Sequence, residues 1–182
     1  SHIFLKEKYA TNGDFIKLKA RLVAGGHMQI KDLYDDLSSP TTALQSIYMI
    51  AAIAARENRK IVTLDITGAY LNADIEGEDV YMLLDDLSTA ILLQIEPNYK
   101  EFVQYNGTCI VKLKKALYGL VQSALLWYKH ISATLEGIGF IKNPSDHCVF
   151  NLEGREQCTV VLYVDDLLMT CKDQAILDIV VK

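Results

Sequence analysis

The stretch Val160-Val161-Leu162-Tyr163-Val164-Asp165-Asp166-Leu167-Leu168-Met169-Thr170 is apolar almost throughout and is broken only by two adjacent carboxylates. It restricts the chain to few arrangements. A β-rich run on each side reads as a buried strand, which puts the two acids at the tight turn of a hairpin. Aspartate is common in turns, so the pair also has an ordinary structural reading. Two acids at one turn repel each other, however, and a bound divalent cation removes that cost.

A second carboxylate, Asp65, ends another short β-rich run, Ile61-Val62-Thr63-Leu64, one hundred residues before Asp165. Ends of nonsequential strands can lie side by side in a parallel or mixed sheet, so Asp65, Asp165 and Asp166 can converge. Phosphoryl transfer by two metal ions needs such a set, the ions standing about 3.5–4 Å apart. Carboxylate oxygens suit Mg²⁺ or Mn²⁺.

The rest of the pattern is strand, helix, strand, helix, paired strands. An alternating strand covers 15–24, a helix follows the Ser38-Ser39-Pro40-Thr41-Thr42 start from Ala43 to Arg56, and a strand covers 108–113. A helix runs from Ser123 to Glu136, with Trp127, Ile131 and Leu135 at core spacing, and strands at 148–152, 158–164 and 167–171 precede a helix over 173–181. Residues 74–107 are less regular: Val80–Leu84 reads as a strand, and Thr89–Ile95 as a helical turn broken by Pro97. The class expected is α+β, a sheet with helices on one face such as a split βαβ, ferredoxin-like unit.

Charge narrows the function further. The net charge is −5, yet residues 1–31 carry Lys6, Lys8, Lys17, Lys19, Arg21 and Lys31 against Glu7 and Asp14, a local +4 that leaves −9 for the remainder. A basic lobe beside an acidic body suits a protein that grips phosphate at one end and metal at the other, and a solvated lysine-rich edge is the plain alternative. Cys109, Cys148, Cys158 and Cys171 have no metal-finger spacing and read as buried, reduced thiols. No apolar run is long enough to span a membrane.

Tyr163-Val164-Asp165-Asp166 resembles the YxDD box of reverse transcriptases, and Leu64-Asp65-Ile66-Thr67-Gly68-Ala69-Tyr70-Leu71 resembles their first aspartate motif. Together with Lys19-Ala20-Arg21-Leu22-Val23, Val80-Tyr81-Met82, Leu113-Lys114-Lys115-Ala116-Leu117-Tyr118-Gly119-Leu120, Trp127-Tyr128 and Gly139-Phe140, the chain is similar to copia-type LTR retrotransposon polymerases over roughly residues 15–172. The resemblance implies an RNA-directed DNA polymerase with two Mg²⁺ or Mn²⁺ ions. Residues 1–60 would be mainly fingers and 61–182 mainly palm with interleaved fingers, the thumb and RNase H lying outside. The metal set would be Asp65, Asp165 and Asp166 with the adjoining Ile66, and the first three would be catalytic. Lys19, Arg21, Thr67, Gly68, Ala69, Tyr70, Tyr118, Gly119 and Gln122 would bind the nucleotide, Tyr70 lying against its sugar. Tyr163 and Val164 would face the primer. The implied partners are a primed RNA or DNA template, dNTP, and the protease, integrase, RNase H and thumb of a polyprotein. The implied location is a cytoplasmic virus-like particle.

Relative to that family, Gly25 replaces an arginine, Val121 a basic residue, Ala124 a proline and Leu125 an arginine. All three acids remain, but lost positive charge leaves open a remnant that binds nucleic acid or a partner without catalysis. A haloacid-dehalogenase-type phosphatase, a different enzyme class, requires an acid two residues after Asp65, where this chain has Thr67. His147 beside Asp146 reads as a structural histidine.

Overall fold

The computed structural model describes residues 1–34, 36–154 and 156–180. In chain order the regular elements are β1 (His2–Tyr9), β2 (Phe15–Val23), α1 (Leu44–Arg56), β3 (Lys60–Asp65), α2 (Ala69–Asn72), β4 (Val80–Leu84) and α3 (Asp86–Ile95). They continue with β5 (Cys109–Leu113), α4 (Ser123–Gly137), β6 (Ile141–Lys142), β7 (Val149–Leu152), β8 (Cys158–Tyr163), β9 (Asp166–Cys171) and α5 (Gln174–Val180). Two interleaved compact units result, one from Ser1–Leu37 with Tyr70–Leu126, the other from Ser38–Ala69 with Trp127–Lys182.

The first unit holds two antiparallel pairs, β1–β2 and β4–β5. Val80, Met82 and Leu84 alternate inward along β4 and pack with Cys109, Leu120 and Ala24, while Tyr81 and Leu83 face out. Asp85 caps α3 by accepting the Ser88 N–H at 2.8 Å, so a full helix forms where the sequence suggested one turn.

β1 escaped the sequence reading, and it changes the meaning of β2. The alternation along β2 does not mark a buried face, because nearly every residue of the ribbon is exposed. It separates two exposed faces. The register pairs Lys6 with Lys19, Lys8 with Lys17 and Phe4 with Arg21. Five cations therefore share one face, and Ile3, Leu5, Leu18, Ala20 and Leu22 share the other.

The second unit is built on one five-stranded sheet in the order β3-β9-β8-β7-β6, every neighbouring pair antiparallel. Convergence of the acids was expected from strand ends side by side in a parallel or mixed sheet, whereas here the pairing is antiparallel. The correction matters for the acids: in an antiparallel pair the last residue of β3 lies beside the first of β9. Strand β8 is buried along nearly its whole length, and Val160, Val161, Phe150 and Met169 are almost fully enclosed. That is why its sequence is a continuous apolar run. All four cysteines are buried and free. Burial, followed by the neighbouring Cys171 thiol, pushes the Cys158 thiol well above the ordinary thiol range.

Helix α1 begins where the Ser/Pro/Thr segment predicted, but its cap comes from elsewhere. Its N-cap residue is Ala43, with no side chain to offer. The Asp146 carboxylate serves instead, accepting from Ala43 N (3.1 Å), Thr42 Oγ1 (3.0 Å) and Ser46 Oγ (2.6 Å), and from Cys148 N on its other oxygen (3.0 Å). Partial burial raises its pKa, and the bonds from Ser46, Cys148, Ala43 and Thr42 outweigh that, holding it below the ordinary carboxylate value. The predicted helix over 173–181 is α5, and Val181 lies outside the described residues. Among the described residues no helix is long and apolar enough to cross a membrane.

Candidate active site

The β8–β9 connection is a two-residue loop. Tyr163 pairs with Asp166 across the ladder, and Val164 and Asp165 form the turn between them. Val164 has a φ of 57°. Glycine usually occupies the first position of a two-residue turn with positive φ there, because a β-branched side chain is crowded in that conformation. Holding valine there costs about 1–3 kcal/mol, and such strain persists only where the surroundings impose it.

The surroundings are visible. In so tight a loop the carbonyls of the two turn residues have no ladder partner. Here both are bonded from outside the hairpin: Trp127 Nε1–H donates to Val164 O at 2.6 Å, and Ile66 N–H donates to Asp165 O at 2.9 Å. The second bond also ties β3 to the turn. In the β3–β9 register Asp65 is the direct partner of Asp166. Asp65, Asp165 and Asp166 thus come from one end of one sheet, with Asp65 and Asp166 exposed and Asp165 half-buried.

Their donor chemistry, carboxylate oxygen only, fits a hard divalent cation. Among the described residues, though, no three acidic, thiol or imidazole side chains close into a ready cation cage.

The other predicted residues fall into two groups. In the second unit, Thr67 is exposed, Gly68 takes a φ of 65°, and Ala69 is fully buried. Tyr163 and Val164 are exposed at the turn. In the first unit, the Tyr70 and Tyr118 rings meet at 4.6 Å, and the Arg21 guanidinium lies 5.4 Å from the Tyr118 centroid. Lys19 is half-buried on the same ribbon face as Arg21. Gly119, at a φ of 92°, does allow a close backbone approach, and the approaching group is Ala24: the Ala24 N–H donates to Tyr118 O at 2.8 Å, and a methyl on Gly119 would collide with Ala24 O. Gln122 is buried, its amide engaged with Gln29 Nε2 at 3.1 Å and the Tyr34 hydroxyl at 3.3 Å.

Sequence reasoning missed Gln29, whose Oε1 also accepts from Val121 N at 3.0 Å, and so anchors the 26–34 loop. It missed Asp146 as the cap of α1. It took Trp127 as core, which its burial supports, without seeing its bond to the acidic turn. A buried tryptophan is itself a signal, because its N–H must find an acceptor, but nothing in the sequence says which.

Comparison with known proteins decides the family. Residues 2–182 match the family model described as "Reverse transcriptase (RNA-dependent DNA polymerase)". The chain belongs to the reverse transcriptases of copia-type retrotransposons. It is 34% identical over 177 residues to the retrovirus-related Pol polyprotein from transposon RE1 of Arabidopsis thaliana, covering 96% of this chain and 11% of that protein. It is 31% identical to the corresponding polyprotein from transposon TNT 1-94 of Nicotiana tabacum, over 93% of this chain and 12% of that one. To the transposon Ty1-LR2 Gag-Pol polyprotein of Saccharomyces cerevisiae it is 34% identical, over 94% and 8% respectively. This reverse transcriptase chain therefore spans roughly a tenth of the length of the curated relatives it matches. No solved structure matches it.

Proposed function

We propose that the chain carries the nucleotidyl-transfer centre of an RNA-directed DNA polymerase, with Asp65, Asp165 and Asp166 holding two Mg²⁺ or Mn²⁺ ions. The observation that supports this best is the register: Asp65 opposite Asp166, with Ile66 N–H on Asp165 O, puts all three acids at one sheet end. Such ions, when bound, supply activation of the primer 3′-hydroxyl and charge neutralisation of the leaving pyrophosphate. Residues 1–60 would be mainly fingers and residues 61–182 mainly palm with interleaved fingers. Tyr163 and Val164, exposed beside the acids, would face the primer end. Arg21, Lys19, Tyr118 and Tyr70 would serve the incoming dNTP, the cations on its phosphates and Tyr70 against its sugar. Protease, integrase, RNase H and thumb would be partners within the same polyprotein, acting in a cytoplasmic particle.

A catalytically impaired binding module is the second reading. It is favoured by the missing positive charge at Gly25, Val121 and Leu125. Primer extension separates the two: the polyprotein-length enzyme with this segment should extend an RNA-templated primer in Mg²⁺ and lose that activity on Asp165→Asn. Template binding without extension would establish the binding module.

A further inference from the structure

We infer that Trp127 is a positioning residue for the acidic turn: its indole N–H, on the carbonyl of the left-handed Val164, fixes the peptide plane that leads into Asp165. The inference deepens the metal-site reading and rests on it for its consequence, though not for its geometry.

Several observations converge. Trp127 is buried to 3% exposure and lies in helix α4, so its position is set by the helix and not by the turn. Its neighbour Ile131, one turn along, and Leu135, two turns along, are buried with it, and His130 stacks at 6.0 Å and 29° against its ring. The indole has one N–H and no acceptor, so inside the core it must find an oxygen. It finds the one oxygen attached to the strained residue. Tyr128, next along the helix, does the same with its hydroxyl on His147 O at 2.9 Å, beside the Asp146 cap. Helix α4 thus uses two adjacent aromatic tips to hold two loops.

The alternative is that Trp127 merely fills space. The two accounts differ in what removal of the N–H alone does. With the ring kept and the N–H gone, Val164 O becomes an unsatisfied carbonyl next to a crowded backbone, and the turn can relieve both by rotating the Val164–Asp165 peptide. That rotation would move Asp165 and loosen the Ile66 N–H bond to Asp165 O. Space-filling predicts no such change.

The chain contains a single tryptophan, so the substitution can be made selectively. Two variants serve: Trp127→Phe, and the chain with 3-benzothienylalanine at position 127, an isostere that lacks only the N–H. Amide hydrogen exchange reads the turn. In both variants the Ile66 amide should exchange about 10-fold faster while the interior amides of β8, such as Val160, keep their protection. Mn²⁺ titration followed by electron paramagnetic resonance reads the consequence. Affinity should fall about 10-fold, as for loss of a supporting contact behind a metal ligand. Adding Val164→Gly, which removes the crowding at positive φ, should recover most of it. Unchanged Ile66 exchange in the isostere variant would overturn the inference, as would Mn²⁺ affinity equal to that of the unsubstituted chain. If the unsubstituted chain binds no Mn²⁺ while Ile66 exchange still responds, the positioning stands and the metal reading falls.

Discussion

The β1–β2 ribbon and the β8–β9 hairpin are both antiparallel pairs joined by a short turn, yet they handle charge in opposite ways. The ribbon gathers five cations on one open face, with lysine directly opposite lysine in two rungs. Charge there is spread out and left in water, where repulsion is weak and any polyanion can relieve it. The hairpin holds one acid, Asp165, in its turn and a second, Asp166, at the first position of β9, with a third at the end of the adjoining β3, above hairpin strands that are largely buried. Charge there is fixed by backbone register and by bonds from Trp127 and Ile66. Under the proposed function, a ribbon that met phosphate backbone would tolerate looseness, whereas a centre that aligned reacting atoms within about 3–3.5 Å would not.

The sharpest way to break this contrast is at the hairpin acid. In the polyprotein-length enzyme, Asp165→Asn should lower primer extension by about two to three orders of magnitude, the scale on which loss of an electrostatic stabiliser at a reacting centre acts. The isolated chain should keep its melting temperature, since Asp165 is only half-buried and its like-charged neighbours are relieved.

Next in size is Gly119→Ala, which probes rigidity in the first unit. A methyl there meets the Ala24 carbonyl and the Val23 side chain on a backbone at positive φ. Chemical denaturation should show a loss of about 2–4 kcal/mol.

Asp146→Ala removes the remote cap of α1 and should cost about 1–2 kcal/mol at neutral pH. The pH dependence has a definite sign. The folded-state pKa of Asp146 lies below its ordinary 3.8, so its contribution is complete above that value and is lost as pH falls through the lower folded one. Melts of variant and unsubstituted chain should therefore differ at pH 7 and converge only in acid below about pH 4.

The smallest effect belongs to the ribbon. Lys6→Glu replaces a repulsive rung with an attractive one opposite Lys19, and should stabilise β1–β2 by about 0.2–1 kcal/mol. It should also weaken oligonucleotide binding and reduce the salt slope by at least about one, measured by fluorescence anisotropy across KCl concentrations. Unchanged binding would mean that this face is only a solvated edge.

Much of the second unit was legible because local sequence and tertiary role agree there. The apolar flanks of Asp165-Asp166 are largely buried strands, and Leu64-Asp65 ends the neighbouring, more exposed strand β3. The direction of β3 against β9 was not legible, since strand periodicity is the same for either polarity. In the first unit β1 was missed because Phe4-Leu5-Lys6-Glu7-Lys8 has no core-facing alternation; its partner strand, not burial, makes it a strand. The caps and clamps were hidden for another reason. Asp146 reaches Thr42 and Ser46 across about one hundred residues, and Trp127 reaches Val164 across 37, so no local window holds both partners.

The role of the sheet end can be read most directly by Mn²⁺ binding to the chain and to its Asp65→Asn, Asp165→Asn and Asp166→Asn variants, followed by electron paramagnetic resonance. If the three acids form one site, the unsubstituted chain binds Mn²⁺, Mg²⁺ competes, and Asp65→Asn and Asp165→Asn each weaken binding about 10-fold or more while Asp166→Asn does less. Equal Mn²⁺ affinity in all four proteins would contradict a metal centre at this hairpin.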